Sequence, residues 1–199
     1  LALLGWSTEN EIFSIDELIE SFKIENVQKA AAVFDLKRFN WVSSQQLAKL
    51  DENGFFEVIK PFMEDEEVSE DYPNYKKILL AMRTSKTNLK DIAHATRPFF
   101  FELDGYDEKG VEKFLNESLE TLTFALEVLS KLTEWNETEL DMALIKVRDY
   151  FNLPIPKVNQ PMRIALVGST VSPSLGLTLE LFGKEKSLER IKKAIDFIS

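Results

Sequence analysis

Residues 163–174 read RIALVGSTVSPS, an apolar run followed by a glycine and a string of hydroxyls. Those residue types, in that order, suit a strand feeding a phosphate-cradling loop, and a Gly183-Lys184 pair follows. A phosphate loop needs G-x-x-x-x-G-K-[ST]. Its second glycine lets the backbone wrap a phosphate, and the lysine and hydroxyl come directly after it. Five residues beyond Gly168 stands Pro173, which has no N–H to donate. Glu185 follows Gly183-Lys184 and sets a like charge against any phosphate. Only 31 residues lie beyond Gly168, all helical in pattern, where a metal-binding strand would have to come. The spacing rejects a nucleotide loop. It predicts a buried helix over residues 162–167, stopped by Gly168 at C′. Ser172-Pro173-Ser174 then turns the chain into a second helix closed by Gly183.

Other chemistry-bearing residues give no catalytic constellation. His94 is the only histidine, and no acid stands at a metal-binding i+4 spacing, so it reads as a surface or packing residue. The run EDEEVSED, residues 64–71, lacks the glycine and ligand spacing of a calcium loop and reads as a solvated loop. Ser169, Ser172 and Ser174 have no histidine nearby in sequence, and the elbow G-x-S-x-G is absent. With no cysteine, disulfides, thiolate metal sites and a cysteine nucleophile are excluded. Phe99, Phe100 and Phe101 read as core, with one ring able to stack on a base at the end of a basic helix. Trp6, Trp41 and Trp135 read as packing at helix contacts.

The net charge of -10 argues against a nucleic-acid binder when taken as a sum. Its distribution does not. Residues 76–97 hold six basic residues (Lys76, Lys77, Arg83, Lys86, Lys90, Arg97) against one acid, Asp91. Residues 102–141 hold twelve acids against three lysines. Local potential governs contact with a phosphate backbone, so the basic band matters. Arg83, Lys86 and Lys90 are spaced to share one helical face. The apolar runs are far shorter than a membrane span, and no signal peptide opens the chain. The absence of cysteine fits a reducing cytosol, so a cytoplasmic protein is expected. A start at Leu1 without Met suggests a piece of a longer protein.

The elements that must position these residues are helices. Ser14 to Glu17 forms a capping box ahead of Leu18, Ile19 and Phe22. Ser43 or Ser44 is expected to cap a helix bearing Leu47 and Leu50. Pro73 sits as a first-turn proline before YKKILLAMR, and Thr87 caps NLKDIAHAT. One long helix is expected over residues 108–132, another after Asn136, and a last one over the final sixteen residues. Residues 64–71, 101–110 and 152–161 read as connections, the last because it holds three prolines. Strand signals are weak, so the fold class is all-α, a stack or cage of short helices.

Three segments in series carry a resemblance: LALLGWSTENEIFSIDELIESF with KAAAVFDLKRFNW; NYKKILLAMRTSKTNLKDIAHATRPFFF; and QPMRIALVGSTVSPSLGLTLELFGKEKSLERI. Together they resemble the C-terminal half of bacterial-type glutamyl-tRNA synthetases, over nearly the whole chain. The third resembles that family's C-terminal signature. The resemblance implies an all-helical cage that binds the tRNA anticodon. It divides the chain into the end of a stem-contact region (residues 1–49) and two anticodon-binding helical subdomains (residues 50–97 and 98–199). The family esterifies glutamate to tRNA(Glu) with ATP, in a domain carrying HIGH-like and KMSKS-like motifs that this sequence lacks. ATP and Mg2+ are therefore expected in that other domain, with no cofactor here, and a monomer is expected.

By resemblance, Lys37 in FDLKRFNW is assigned a phosphate contact near the inner corner of the tRNA, against the plainer reading of a surface lysine. Arg83 matches an arginine of the first cage helix pair, with Lys86 and Lys90 beside it. Ser85 stands where some members that discriminate the glutamate anticodon carry an arginine, which implies a relaxed enzyme that also charges tRNA(Gln). Arg163 matches the signature arginine; it either reads the anticodon loop or clamps a helix C-terminus or an acidic partner. Lys184 and Lys186 are candidate phosphate contacts, whereas Gly168, Pro173 and Gly183 are structural. The competing function is a helical protein-interaction module whose acidic residues 102–141 bind a basic partner without RNA.

Overall fold

The computed structural model describes Trp6, Thr8, residues 10–28 and residues 33–199. Most of the LALLGW and KAAAV stretches thus lie outside the described residues. Apart from one bridge, Trp6 to Val27, the described elements are all helical. The N-terminal part holds α1 (Ile15–Ser21), a 3-10 turn (Ile24–Asn26) and α2 (Leu36–Lys49). The α1 capping box is complete: Ser14 Oγ accepts from Glu17 N, and Glu17 accepts from Ser14 N. In α2 the cap is Asp35, whose carboxylate accepts from the N–H groups of Lys37 and Arg38. Ser43 and Ser44 lie inside α2, where Ser44 Oγ bonds the Trp41 carbonyl, so neither starts a helix. Trp6 packs against Phe13 and Phe22, but Trp41 is 43% exposed, contrary to its expected place at a helix contact.

Three helices follow: α3 (Glu52–Asp65), α4 (Tyr75–Met82) and α5 (Leu89–Phe100). Asp51 caps α3 through Gly54 N. Asn74 at φ 59° precedes α4, which puts Pro73 one residue outside the helix and not in its first turn. The cap of α5 is Asn88, accepting from Asp91 N, and not Thr87. Phe55, Ile59 and Met63 from α3 and Ile78, Leu79 and Met82 from α4 are buried with Ile92 and Ala93 of α5. Full burial of one such side chain contributes about 1.5–3 kcal/mol.

The C-terminal bundle begins with α6 (Glu108–Gly110), which widens into a π turn (Val111–Leu115). It continues through α7 (Leu119–Ser130), α8 (Glu137–Phe151), α9 (Ile155–Val167), α10 (Leu175–Phe182) and α11 (Lys184–Ile198). The single helix expected over 108–132 is therefore two. Asn116 N bonds back five residues to Val111 O, and buried Ser118 turns its hydroxyl onto Leu115 O, which breaks the helical ladder. Gly110 lies so close to α9 that an added Cβ would come within 3.1 Å of Ile164 Cδ1. Asn136 caps α8 as expected.

The chain between α8 and α9 is shorter than its prolines suggested. Pro154 is the N-cap of α9 and Pro156 sits in the first turn, where a missing N–H costs nothing. Pro161 lies inside the helix and is buried. The expected helix 162–167 is thus the second half of α9. Gly168 ends it at φ 72°, with its N–H on Ile164 O at 2.9 Å. An added Cβ there would meet Gly105 O at 2.8 Å, so glycine is required twice over. α7 packs on α8 and α11, α10 on α8, and α9 on α11 and the π turn. α5 leans on α9 and joins the two helical groups over one continuous core.

Candidate nucleic-acid interface

Where α5 meets the end of α9, the surface opens into a groove of about 480 Å³. Asp91, His94 and Arg97 form the α5 wall, with Lys86 of the preceding turn at its edge. Phe101, Glu102 and Gly105 form the floor, with Gly168, Ser169 and Val171 on the far wall. A second cleft of about 370 Å³ lies between α2 and the α4–α5 turn, lined by Ser44, Leu47, Arg83, Ser85 and Lys86. Lys86 lines both, so it stands on the ridge between them. It is exposed and makes no ion pair among the described residues.

The groove walls are set by local chemistry. The α5 wall is braced from behind: Arg97 Nη1 donates to Glu66 Oε2 at 3.0 Å, and His94 Nδ1 lies 3.2 Å from Glu66 Oε1. The guanidinium of Arg97 also covers the Phe101 ring. Glu66 and Glu70, the latter paired with Lys60, thus turn EDEEVSED into a bracing segment for α5 and α3. Phe99 and Phe100 are core, and Phe99 stacks on Phe182 at 4.7 Å. On the far wall the 101–107 loop is tied to the end of α9 by Asp107 N to Gly168 O at 2.7 Å.

The arginines named from the sequence turn inward. Arg83 Nη2 donates to Leu47 O and Leu50 O, both at 2.5 Å, and its guanidinium covers the Phe55 ring. It clamps the C-terminal end of α2 against α3. Arg83, Lys86 and Lys90 do not share a helical face: Arg83 ends α4, Lys86 lies in a turn, and Lys90 belongs to α5. Arg163 Nη1 donates to Ser172 O (2.7 Å), Ser172 Oγ (2.5 Å) and Pro173 O (2.6 Å). It clamps the α9–α10 turn, and neither a helix C-terminus nor an acid is its partner. Its burial lowers the pKa from the usual guanidinium value.

The lysines divide. Lys184 Nζ donates to Leu132 O at 2.6 Å, at the end of α7. Lys186 lies 3.7 Å from Glu102; burial, and then the nearby Arg190, hold its ammonium pKa below the usual value, which Glu102 offsets only in part. Lys37 and Lys90 are exposed, and neither makes an ion pair among the described residues. Ser85 donates its N–H to Met82 O at 2.9 Å, while its buried Oγ makes no hydrogen bond among the described residues. Of the whole set, Lys86 alone lines the groove.

Sequence reasoning missed Arg190. It is 2% exposed and donates to the carbonyl of Phe101, a residue of the groove floor. The available signal was its place beside Ile191 on the buried stripe of α11, where an unpaired surface charge would not sit. Among the described residues no group of three or more His, Asp or Glu side chains is gathered to hold a metal, and no helix is long and apolar enough to cross a membrane.

Comparison with known proteins gives the family and the fold. Residues 46–195 match the family model described as an anticodon binding domain. A glutamate–tRNA ligase of Thermodesulfovibrio yellowstonii is 33% identical over 205 residues, covering 98% of this chain and 44% of that protein. Glutamate–tRNA ligase 2 of Thermoanaerobacter pseudethanolicus is 32% identical, covering 100% of this chain and 43% of that protein. The chain thus spans less than half the length of these curated relatives. A glutamate tRNA ligase from Elizabethkingia meningosepticum, solved with its amino acid, superposes with a TM-score of 0.80 at 28% identity, over 99% of this chain and 40% of that one. A glutamate-tRNA synthetase from Elizabethkingia anophelis superposes with a TM-score of 0.76 at 28% identity, over 98% of this chain and 39% of that one.

Proposed function

The chain belongs to the anticodon-binding-domain family, and on that premise we propose that it is the tRNA-reading, C-terminal part of a glutamate–tRNA ligase. The single observation that carries this is the groove between α5 and the α9–α10 turn, with Lys86, a cation that makes no ion pair among the described residues, on its ridge and Phe101 on its floor. Mixed polar and apolar lining with an exposed cation at the rim suits unstacked loop bases and the phosphates that link them. Lys37 and Lys90 add phosphate contacts outside the groove. Arg83, Arg163, Lys184 and Lys186 hold the surface that presents these groups.

The parent enzyme acts on tRNA(Glu), and ATP with Mg2+ binds in its catalytic part. The 199 residues alone do not aminoacylate, since they contain neither HIGH-like nor KMSKS-like motif. The parent is a cytoplasmic monomer on this reading. Ser85 supports a relaxed specificity that includes tRNA(Gln). A guanidinium there would add a donor fork to the cleft, whereas the serine brings only a hydroxyl that makes no hydrogen bond among the described residues. Filter binding of the chain to tRNA(Glu) at two salt concentrations tests the reading. Affinity should fall steeply with salt. Undetectable affinity would favour a protein-interaction surface on the acidic residues 102–141. Charging assays on the parent enzyme with both tRNAs test the specificity; a parent inert on tRNA(Gln) sinks that part alone.

A further inference from the structure

We propose that Arg190 is a positioning residue for tRNA recognition: it fixes the spacing of the two groove walls without touching the RNA. This rests on the reading of the groove as the tRNA site. A guanidinium is almost never fully buried without paired charge, because removing it from water is costly. Arg190 is 2% exposed; Glu102 lines a small cavity with it and favours its charge, but the acceptors of its hydrogen bonds are backbone carbonyls. Nη1 donates to Leu166 O, and Nη2 donates to Phe101 O at 2.6 Å. The guanidinium lies over the Phe182 ring, 4.5 Å from its centroid. Nε makes no hydrogen bond among the described residues.

The two carbonyls define the role. Phe101 is the C-cap of α5, and Leu166 stands in the last turn of α9. The Leu166 carbonyl belongs to a helix C-terminus, where it lacks an intrahelical donor and carries partial negative charge; the Phe101 carbonyl is that of the extended residue that ends α5. Phe101 lines the groove, and Val167, beside Leu166, lines it too. One planar fork on α11 therefore bridges the ends of the two walls. Phe182 beneath it stacks on Phe99 of α5 and adds a third tie. Packing alone could be met by an apolar side chain, which often stabilises as well as a buried ion. A fork with fixed donor directions sets the separation of two carbonyls, which an apolar side chain cannot do.

The test compares Arg190→Lys, Arg190→Met and Phe182→Leu with Lys86→Ala. Affinity for a transcribed tRNA(Glu) is measured per folded molecule, well below each variant's own melting temperature, over a series of salt concentrations. Circular dichroism gives the folded fraction. Arg190→Lys keeps the charge but loses the fork, and should bind about 10-fold more weakly at an unchanged salt slope. Arg190→Met should match it. Lys86→Ala should instead reduce the salt slope by about one. If neither Arg190 variant folds, Phe182→Leu decides, with a smaller loss expected at unchanged slope. A purely structural Arg190 would lower melting temperature and leave folded-molecule affinity at the wild-type value, which overturns the proposal. A slope change of about one in Arg190→Lys would mean phosphate contact and overturns it as well. Absence of wild-type binding overturns the groove reading itself.

Discussion

The two turns that flank the groove are built in opposite ways. The α9–α10 turn is locked: Arg163 makes three hydrogen bonds into Ser172 and Pro173, and Gly168 is pinned against Gly105. The α4–α5 turn is held at its start by Arg83 and by Ser85 N–H on Met82 O, and at its end by the Asn88 cap; between them, among the described residues, Lys86 makes no ion pair and Ser85 Oγ no hydrogen bond. One wall is thus preset and the other keeps donors for a ligand. Their difference puts fixed donors on one side of the groove and an exposed cation on the other. Arg83 and Arg163, with fixed donor forks, organise backbone carbonyls, whereas Lys86 and Lys90 stay exposed and make no ion pair among the described residues. The net charge of -10 does not describe this local arrangement.

Breaking the locked side should give the largest effect. Arg163→Ala leaves the carbonyls of Ser172 and Pro173 without their donor, and should lower stability by about 2 kcal/mol, read as a fall in melting temperature. Arg83→Met keeps packing over Phe55 but leaves Leu47 O and Leu50 O unmet, and should cost about 1–2 kcal/mol by chemical denaturation. On the open side, Lys86→Ala should leave stability within about 0.5 kcal/mol while weakening tRNA binding and flattening its salt dependence. A stability loss equal to that of Arg83→Met would erase the contrast between the two turns. Ser85→Arg should raise the preference for tRNA(Glu) over tRNA(Gln) in a binding competition; an unchanged ratio would remove Ser85 from specificity.

The smallest effect concerns pH. The Glu180 carboxyl is held below the usual range, first by Lys77 and then by the Glu137 N–H. A folded-state pKa depressed in this way contributes stability above the unfolded carboxylate value. That stability is lost as pH falls through the folded value. Glu180→Gln should therefore flatten the acid limb of the stability profile slightly. An acid limb unchanged by the substitution would show that the pair adds nothing measurable.

What the sequence revealed was local. Ser14 with Glu17, Asn136, Gly168 and Ser174 act on groups three or four residues away, so their pattern was readable in advance. The starts of α2, α4 and α5 were misplaced by one to several residues because several capping types compete in each stretch. The break at Ser118 and the continuation of α9 through Pro161 depend on neighbours packed from elsewhere, and periodicity does not report them. The site was less legible than the fold. Arg83 meets carbonyls 33 and 36 residues away, and Arg190 meets one 89 residues away. Spacing shows that a cation is present, but not whether a distant helix end will claim it. Lys86 was named as one of three on a helical face; its position between two clefts came only with the turn.

Competition on a labelled tRNA(Glu) tests the central claim most directly. The 199-residue chain is mixed with the tRNA, then challenged with an anticodon stem-loop or an acceptor-stem minihelix of equal charge. The stem-loop should displace the tRNA and the minihelix should not, since equal charge removes the non-specific term. Equal displacement by both, or by the minihelix alone, would contradict an anticodon-reading groove.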